Sequence, residues 1–240
     1  MSKLIAVCGS PGSGKTSVAL KLAQELYHTS HQPVLFFSVD LRVPIMGYVF
    51  PHSKAGDLHS VGKTMDKTDI YREDVMKQIV TVKSMVNFGY LGYKSGENLY
   101  TYPRVTEDKV TELFRCLREL AAYVVVDCVS DGEDLLSAMA KREADTVIQT
   151  VNPDLKCMTY FASNADMYIG CADKTIPVMN ITERDVYPPI NEVKNHFKSV
   201  QMVLPYSIAM KQQAITGTLY ERLTDRKYRE ALSALVKVVS

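Results

Sequence analysis

The sequence predicts an α/β domain built on a mostly parallel, doubly wound sheet of about seven to eight strands, with helices on both faces. Three observations carry this. Short apolar runs alternate with helix-period stretches along the whole chain. The runs are apolar on both faces, as strands buried between two helix layers are. The first run passes directly into a glycine-rich turn and then a helix, the opening of a βα unit. The 240 residues fit one domain, 1–240, better than two small ones.

Taken in order, residues 4–8 read as a buried strand. Residues 16–27 read as a helix, with Val18, Leu20, Leu22, Ala23 and Leu26 facing inward. Residues 34–39 are a second strand. Residues 42–69 are the least periodic stretch. With Gly47, Pro51 and Gly56, they read as a long loop with a short helix, either placed for function or a plain surface excursion. A helix over 73–82 precedes a strand over 88–91. A helix over 107–121 then leads to a strand over 123–126. The alternation continues with helices over 132–141, 153–165 and 188–197, and with strands over 146–151, 177–181 and 200–204. An amphipathic helix over 225–239 places Tyr228, Leu232, Leu235, Val236 and Val239 on one face.

Composition narrows the function classes. A formal net charge of +1 gives no global field for nucleic acid, and no specific nucleic-acid partner is predicted. The five cysteines are odd in number and no two are spaced C-x-x-C, which argues against a disulfide framework or zinc site and for a reducing cytoplasm. There is no run of 18 apolar residues, and the N-terminus does not read as a signal peptide.

Gly9-Ser10-Pro11-Gly12-Ser13-Gly14-Lys15-Thr16 matches G-x-x-x-x-G-K-[ST] at every fixed position, between a strand and an amphipathic helix. Glycines let successive backbone N–H groups turn toward one oxyanion, and the helix adds its unpaired N–H groups and positive dipole end. Lys15 is the expected ligand of the β- and γ-phosphates, and Thr16 of Mg²⁺, with Ser17 opening the helix beside them. Gly62-Lys63-Thr64 repeats the tripeptide without the leading glycine or strand and reads as coincidence. The run Tyr123-Val124-Val125-Val126-Asp127 is an apolar strand ending in an acid, the second carboxylate that holds Mg²⁺ or its waters in such sites. Asp40 also ends a strand. It either orients the attacking water or Mg²⁺, or caps the next turn.

With these motifs in order, the chain resembles the ParA/MinD group of P-loop ATPases over nearly its whole length. Further segments carry the resemblance: Ala144–Pro153, which is similar to the group's "AD-x-apolar strand-x-P" stretch; Val178-Met179-Asn180; and Val203-Leu204-Pro205-Tyr206. The resemblance implies ATP and Mg²⁺ as ligands, with Asn180 reading adenine and Pro205 packed near the base. Thr182-Glu183-Arg184-Asp185 has Glu where a guanine-reading [NT]-K-x-D has lysine, which favours ATP. The group's loop reads K-G-G-x-G-K-T. Here Ser10 stands at the first lysine and Pro11 at the first glycine. That lysine crosses a dimer interface in the group, so its loss implies slow hydrolysis; Arg42 and Lys94 are candidate replacements. Members that place pilus or secretion machinery also tend to lack it.

The resulting expectation is a slow ATPase, hydrolysing ATP to ADP and phosphate. It acts as a nucleotide-dependent homodimer that recruits a protein partner in positioning or assembly of cellular machinery. Catalytic roles fall to Lys15, Asp40 and Asp127, and metal binding to Thr16, Asp40 and Asp127. Two alternatives stand beside it: a small-molecule, nucleoside-type kinase, and a degenerate nucleotide-binding scaffold. The helix over 225–239 is read either as docked on the sheet or as a weak membrane contact that recruits the protein to the membrane periphery. Tyr90, Tyr93, Tyr100 and Tyr102 are either a partner surface or loop residues packed on the domain.

Overall fold

Strand β1 (Lys3–Gly9) alternates its side chains between two apolar clusters: Ile5 and Val7 enter one, Leu4, Ala6 and Cys8 the other. That alternation is why the chain must be covered on both faces. In the computed structural model, which describes residues 2–54, 56–186, 190–197 and 200–240, β1 sits inside one eight-stranded sheet. The strand order is β3-β4-β2-β5-β1-β6-β7-β8. The remaining strands are β2 (Val34–Ser38), β3 (Val80–Val82), β4 (Met85–Leu91), β5 (Tyr123–Asp127), β6 (Thr146–Val151), β7 (Thr175–Asn180) and β8 (Met202–Leu204). All pairings are parallel except β3 with β4. Ala6 pairs with Val126 on one side and Val147 on the other, so β1 lies where the chain's winding changes direction. In open α/β sheets, ligands bind outside the carboxyl ends of strands at such a point.

One face of the sheet is covered by α1 (Lys15–Ser30) and α10 (Arg226–Val239). The other is covered by α5 (Glu107–Leu120) and α6 (Leu135–Glu143). The apolar stripe of α10 is spent on the first cluster: Tyr228, Leu232, Leu235, Val236 and Val239 are all buried. A membrane contact through 225–239 therefore has no apolar face left to use in this arrangement. No helix among the described residues is long and apolar enough to cross a membrane.

Several boundaries differ from the sequence reading. The helix expected over 73–82 is only α4 (Arg72–Met76), and β3 follows, paired antiparallel with β4. The β-branched run Ile79-Val80-Thr81-Val82 with a tight turn at Lys83-Ser84 favours a hairpin over a continued helix. The helix over 153–165 shortens to α7 (Leu155–Ser163) because Asp154 caps it, accepting from Cys157 N; a 3-10 helix follows over Ala165–Lys174. Asp134 likewise delays α6 by accepting from Ser137 N. The start of the helix expected over 188–197 lies outside the described residues, and α8 spans Ile190–His196. Helix α9 (Ile208–Thr216) has no bounds in the sequence reading; none of its side chains is fully buried, and Ala209, Met210 and Ala214 are half-buried against the core. The stretch 42–69 holds two single turns, α2 (Met46–Val49) and α3 (Gly62–Met65). Its Ile45, Met46, Val61 and Met65 are buried in the core. Of the four tyrosines considered as a surface, Tyr90 and Tyr93 are core residues, whereas Tyr100 is fully exposed.

Candidate functional site

The loop between β1 and α1 projects from the carboxyl edge of the sheet. Gly12 and Gly14 have φ of 79° and 77°, a conformation that a Cβ would strain. Gly14 is the N-cap of α1, and no side chain caps the helix there. Among the described helices of nine or more residues, α6, α7, α9 and α10 have a side-chain cap, and α5 has Glu107 and Asp108 in its first turn. Helix α1 has neither, so its N–H groups and positive dipole end face whatever occupies the loop.

Neighbouring strands brace the loop. Ser13 Oγ lies 2.7 Å from Thr150 Oγ1, which donates to Cys8 O at 3.0 Å. Asn152 Nδ2 donates to Gly12 O (3.3 Å) and to Thr182 Oγ1 (3.1 Å). Asn180 Nδ2 donates to Ser13 O at 2.8 Å, and Tyr228 hydroxyl donates to Asn180 Oδ1 at 3.4 Å. Asn180 thus holds the loop from below, and Oδ1 is the part of its amide least committed. Pro205 follows β8, at the same edge of the sheet.

The three catalytic candidates converge here, in different states. Asp127 is 2% exposed and accepts from Ser38 Oγ at 3.1 Å through Oδ2, while Oδ1 is buried with no hydrogen-bond partner. Burial pushes its carboxyl up to about 6, against the lowering effects of the Thr16 and Ser38 hydroxyls and the Lys15 charge. Lys15 Nζ donates to Ser10 O (3.1 Å) and Ser130 Oγ (2.6 Å). Burial lowers its pKa, opposed chiefly by Asp127. Asp40 lies at the mouth of the site, where Oδ1 accepts from the backbone N–H of Arg42 (2.8 Å) and Val43 (2.9 Å). It therefore makes the turn-capping bonds that the sequence offered as its second role, and its charge still faces the Asp127 side of the site.

Position 10 is closed. Ser10 is 1% exposed and its hydroxyl lies against the Cys157 thiol, so a lysine side chain there would have to leave through a packed wall. Arg42, a candidate replacement, is bound to Asp131. Ser130, Ser38, Thr150 and Asn152 are site residues that sequence spacing did not reveal as such. Thr150 and Asn152 sit in a stretch singled out by resemblance; Ser130 carries no motif at all.

An orphaned carboxylate oxygen beside a threonine hydroxyl, a lysine and an uncapped helix end fits a magnesium nucleotide. The donor set suits oxygen-seeking Mg²⁺, and the loop suits an anion.

Comparison with protein-family models found no match, and comparison with curated proteins found none. Solved structures do match. The chain is similar to the septum site-determining protein MinD of Pyrococcus horikoshii complexed with Mg-ADP, with TM-score 0.77 and 18% identity over 100% of this chain and 96% of that one. It is similar to a ParA family ATPase from Chlorobium tepidum, with TM-score 0.79 and 10% identity over 98% of each chain. It is also similar to the MinC:MinD cell division protein complex of Aquifex aeolicus, with TM-score 0.69 and 14% identity over 98% of this chain and 94% of that one. The fold is thus that of the ParA/MinD-type P-loop ATPases.

Proposed function

We propose that this chain binds ATP with Mg²⁺ at the loop Gly9–Thr16. In this reading, nucleotide shifts it toward a dimer that recruits a protein partner, in positioning or assembly of cellular machinery. The observation that carries the nucleotide reading is Asp127: a buried carboxylate with an unpartnered oxygen, beside Thr16 and Lys15, at an open left-handed loop. Burying such a group without a partner is costly, and a bound cation removes the cost.

In this reading Lys15 and the loop amides hold the phosphates. Thr16, Asp127 and Asp40 hold Mg²⁺ or its waters, and Asn180 and Pro205 lie toward the base. Mg²⁺, when bound, neutralises charge on the phosphates. Hydrolysis is slow because Ser10 supplies no cation and Arg42 is already paired. Dimerisation rests on the resemblance and on the placement of the exposed Pro11, Gly12, Val43 and Leu155 near one edge of the sheet. Nucleotide drives it only by binding the dimer-competent state more tightly.

The test is calorimetry with ATP-Mg²⁺, with light scattering on the same samples. Binding with a doubling of mass supports the switch; binding by a persistent monomer removes it. A second reading, phosphoryl transfer to a nucleoside-type acceptor, is favoured by a cleft of about 620 Å³ beside Asp40, Arg42, Tyr102, Arg104 and Asp131. Label transfer from ATP to a nucleoside panel decides it. If turnover is indistinguishable between wild type and Lys15→Ala, the scaffold reading stands instead.

A further inference from the structure

A trans peptide points its C=O and N–H in opposite directions, so whatever holds the carbonyl also aims the amide. Two side chains hold consecutive carbonyls of the Gly9–Thr16 loop. Asn152 Nδ2 donates to Gly12 O at 3.3 Å, and Asn180 Nδ2 donates to Ser13 O at 2.8 Å. Peptides 12–13 and 13–14 are thereby fixed, with the Ser13 and Gly14 N–H groups turned to the side away from the asparagines. The Ser13 N–H then closes the loop on Ser10 O at 3.2 Å.

The two asparagines come from neighbouring strands. Val151 of β6 pairs with Met179 of β7, so Asn152 and Asn180 are the next residues in register, side by side at the carboxyl edge of the sheet. Each amide is itself held. Asn152 gives its other N–H to Thr182 Oγ1 at 3.1 Å, and Asn180 Oδ1 accepts from the buried Tyr228 hydroxyl at 3.4 Å. Asn180 lies so close under the loop that a Cβ on Gly14 would stand 2.5 Å from its Nδ2. Asn152 is 5% exposed, and its Oδ1 is buried with no partner among the described residues. An unpaired buried amide oxygen is costly, and here it accompanies an amide whose two N–H groups are both in use.

We propose that Asn152 and Asn180 are positioning residues acting as one clamp: they set the loop backbone for a phosphate chain, and each contributes to ligand binding through the phosphates and not through the base. This rests on the nucleotide reading of the loop. It requires phosphate recognition that survives removal of the nucleoside.

The test is calorimetry on the full chain with two probes in Mg²⁺, ADP and inorganic tripolyphosphate, with thermal unfolding of the same proteins. Wild type should bind both. Asn152→Ala and Asn180→Ala should each weaken both probes by the same factor, about three- to tenfold, as loss of one hydrogen bond to the loop does. The double variant should lose less than the product of the single losses, because the two held peptides share Ser13. Weaker ADP binding with unchanged tripolyphosphate binding would make the asparagine a base contact and overturn the proposal. Lower thermal stability with both affinities as in wild type would show a merely structural role and overturn it too. Full additivity in the double variant would overturn the single clamp. Should one variant fail to fold, the other decides by the same comparison. Wild type that binds ADP but not tripolyphosphate overturns this proposal alone; wild type that binds neither overturns the nucleotide reading with it.

Discussion

Replacing Asp127 with asparagine tests the site through stability as well as ligand binding. The Asp127 carboxyl titrates at about 6 in the folded chain against an ordinary 3.8. A carboxyl whose folded value is raised holds its proton more tightly when folded. Its contribution is therefore most favourable below about pH 4 and is lost as pH rises through about 6. The difference is worth roughly 3 kcal/mol at 1.36 kcal/mol per pH unit. Asparagine removes the buried charge and keeps an oxygen for Ser38, but its N–H₂ group replaces the unpartnered oxygen and finds no acceptor there, which costs about 1 kcal/mol. The net expectation for Asp127→Asn at pH 8 is a gain of roughly 2 kcal/mol, a rise in Tm of about 4–8 °C for a chain of this size. The gain should shrink toward zero or reverse by about pH 4.5. Thermal unfolding of both proteins from pH 4.5 to 8, without nucleotide, measures it. With ATP present, added Mg²⁺ should raise the Tm of wild type and not of the variant. A Tm difference independent of pH, or a variant less stable at pH 8, would refute the account of Asp127 as a strained carboxylate kept for a cation.

Other perturbations separate the remaining roles. Wild-type binding of ATP-Mg²⁺ should release close to one proton at pH 5 and almost none at pH 8, since a cation beside Asp127 favours its ionised form; calorimetry in buffers of different ionisation enthalpy counts it. Lys15→Ala should weaken ATP-Mg²⁺ binding at least about tenfold, as loss of a charge-assisted phosphate contact does; unchanged affinity would place the nucleotide elsewhere. Asp40→Asn keeps an oxygen for the Arg42 and Val43 N–H groups, so stability should change by less than about 1 kcal/mol. If Asp40 orients water or Mg²⁺, turnover should fall roughly tenfold or more; unchanged turnover leaves it the turn alone. Lys21 is buried and donates to Gln24 Oε1, Leu219 O and Glu221 O within 3.0 Å, fastening α1 to the chain before α10. Lys21→Met should cost about 2–4 kcal/mol in denaturant unfolding by leaving those oxygens unpaired, and a loss under about 1 kcal/mol would show the tie to be dispensable.

What the sequence determined by itself is the alternating layer architecture and the phosphate loop, because both are written in local terms. Strands such as β1 and β5 are short runs apolar on both faces, legible without their partners, and Gly12, Gly14, Lys15 and Thr16 form one contiguous motif whose geometry follows from glycine's freedom and a helix start. Asp127 was legible because it ends such a run. Elements with weak local signals were not. The short β3 was absorbed into a helical reading, and α9 has no fully buried stripe to announce it, only Ala209, Met210 and Ala214 half-buried against the core. Only the tertiary structure decided that the stripe of α10 faces the core, that Ser10 is sealed against Cys157, and that Ser130 and Asn152 reach the loop from 121 and 140 residues away. Those are contacts between residues distant in the chain that the sheet order and the helices packed on it bring together. A single serine or asparagine carries no periodicity by which its partner can be read, so its role exists only once the sheet order has been set.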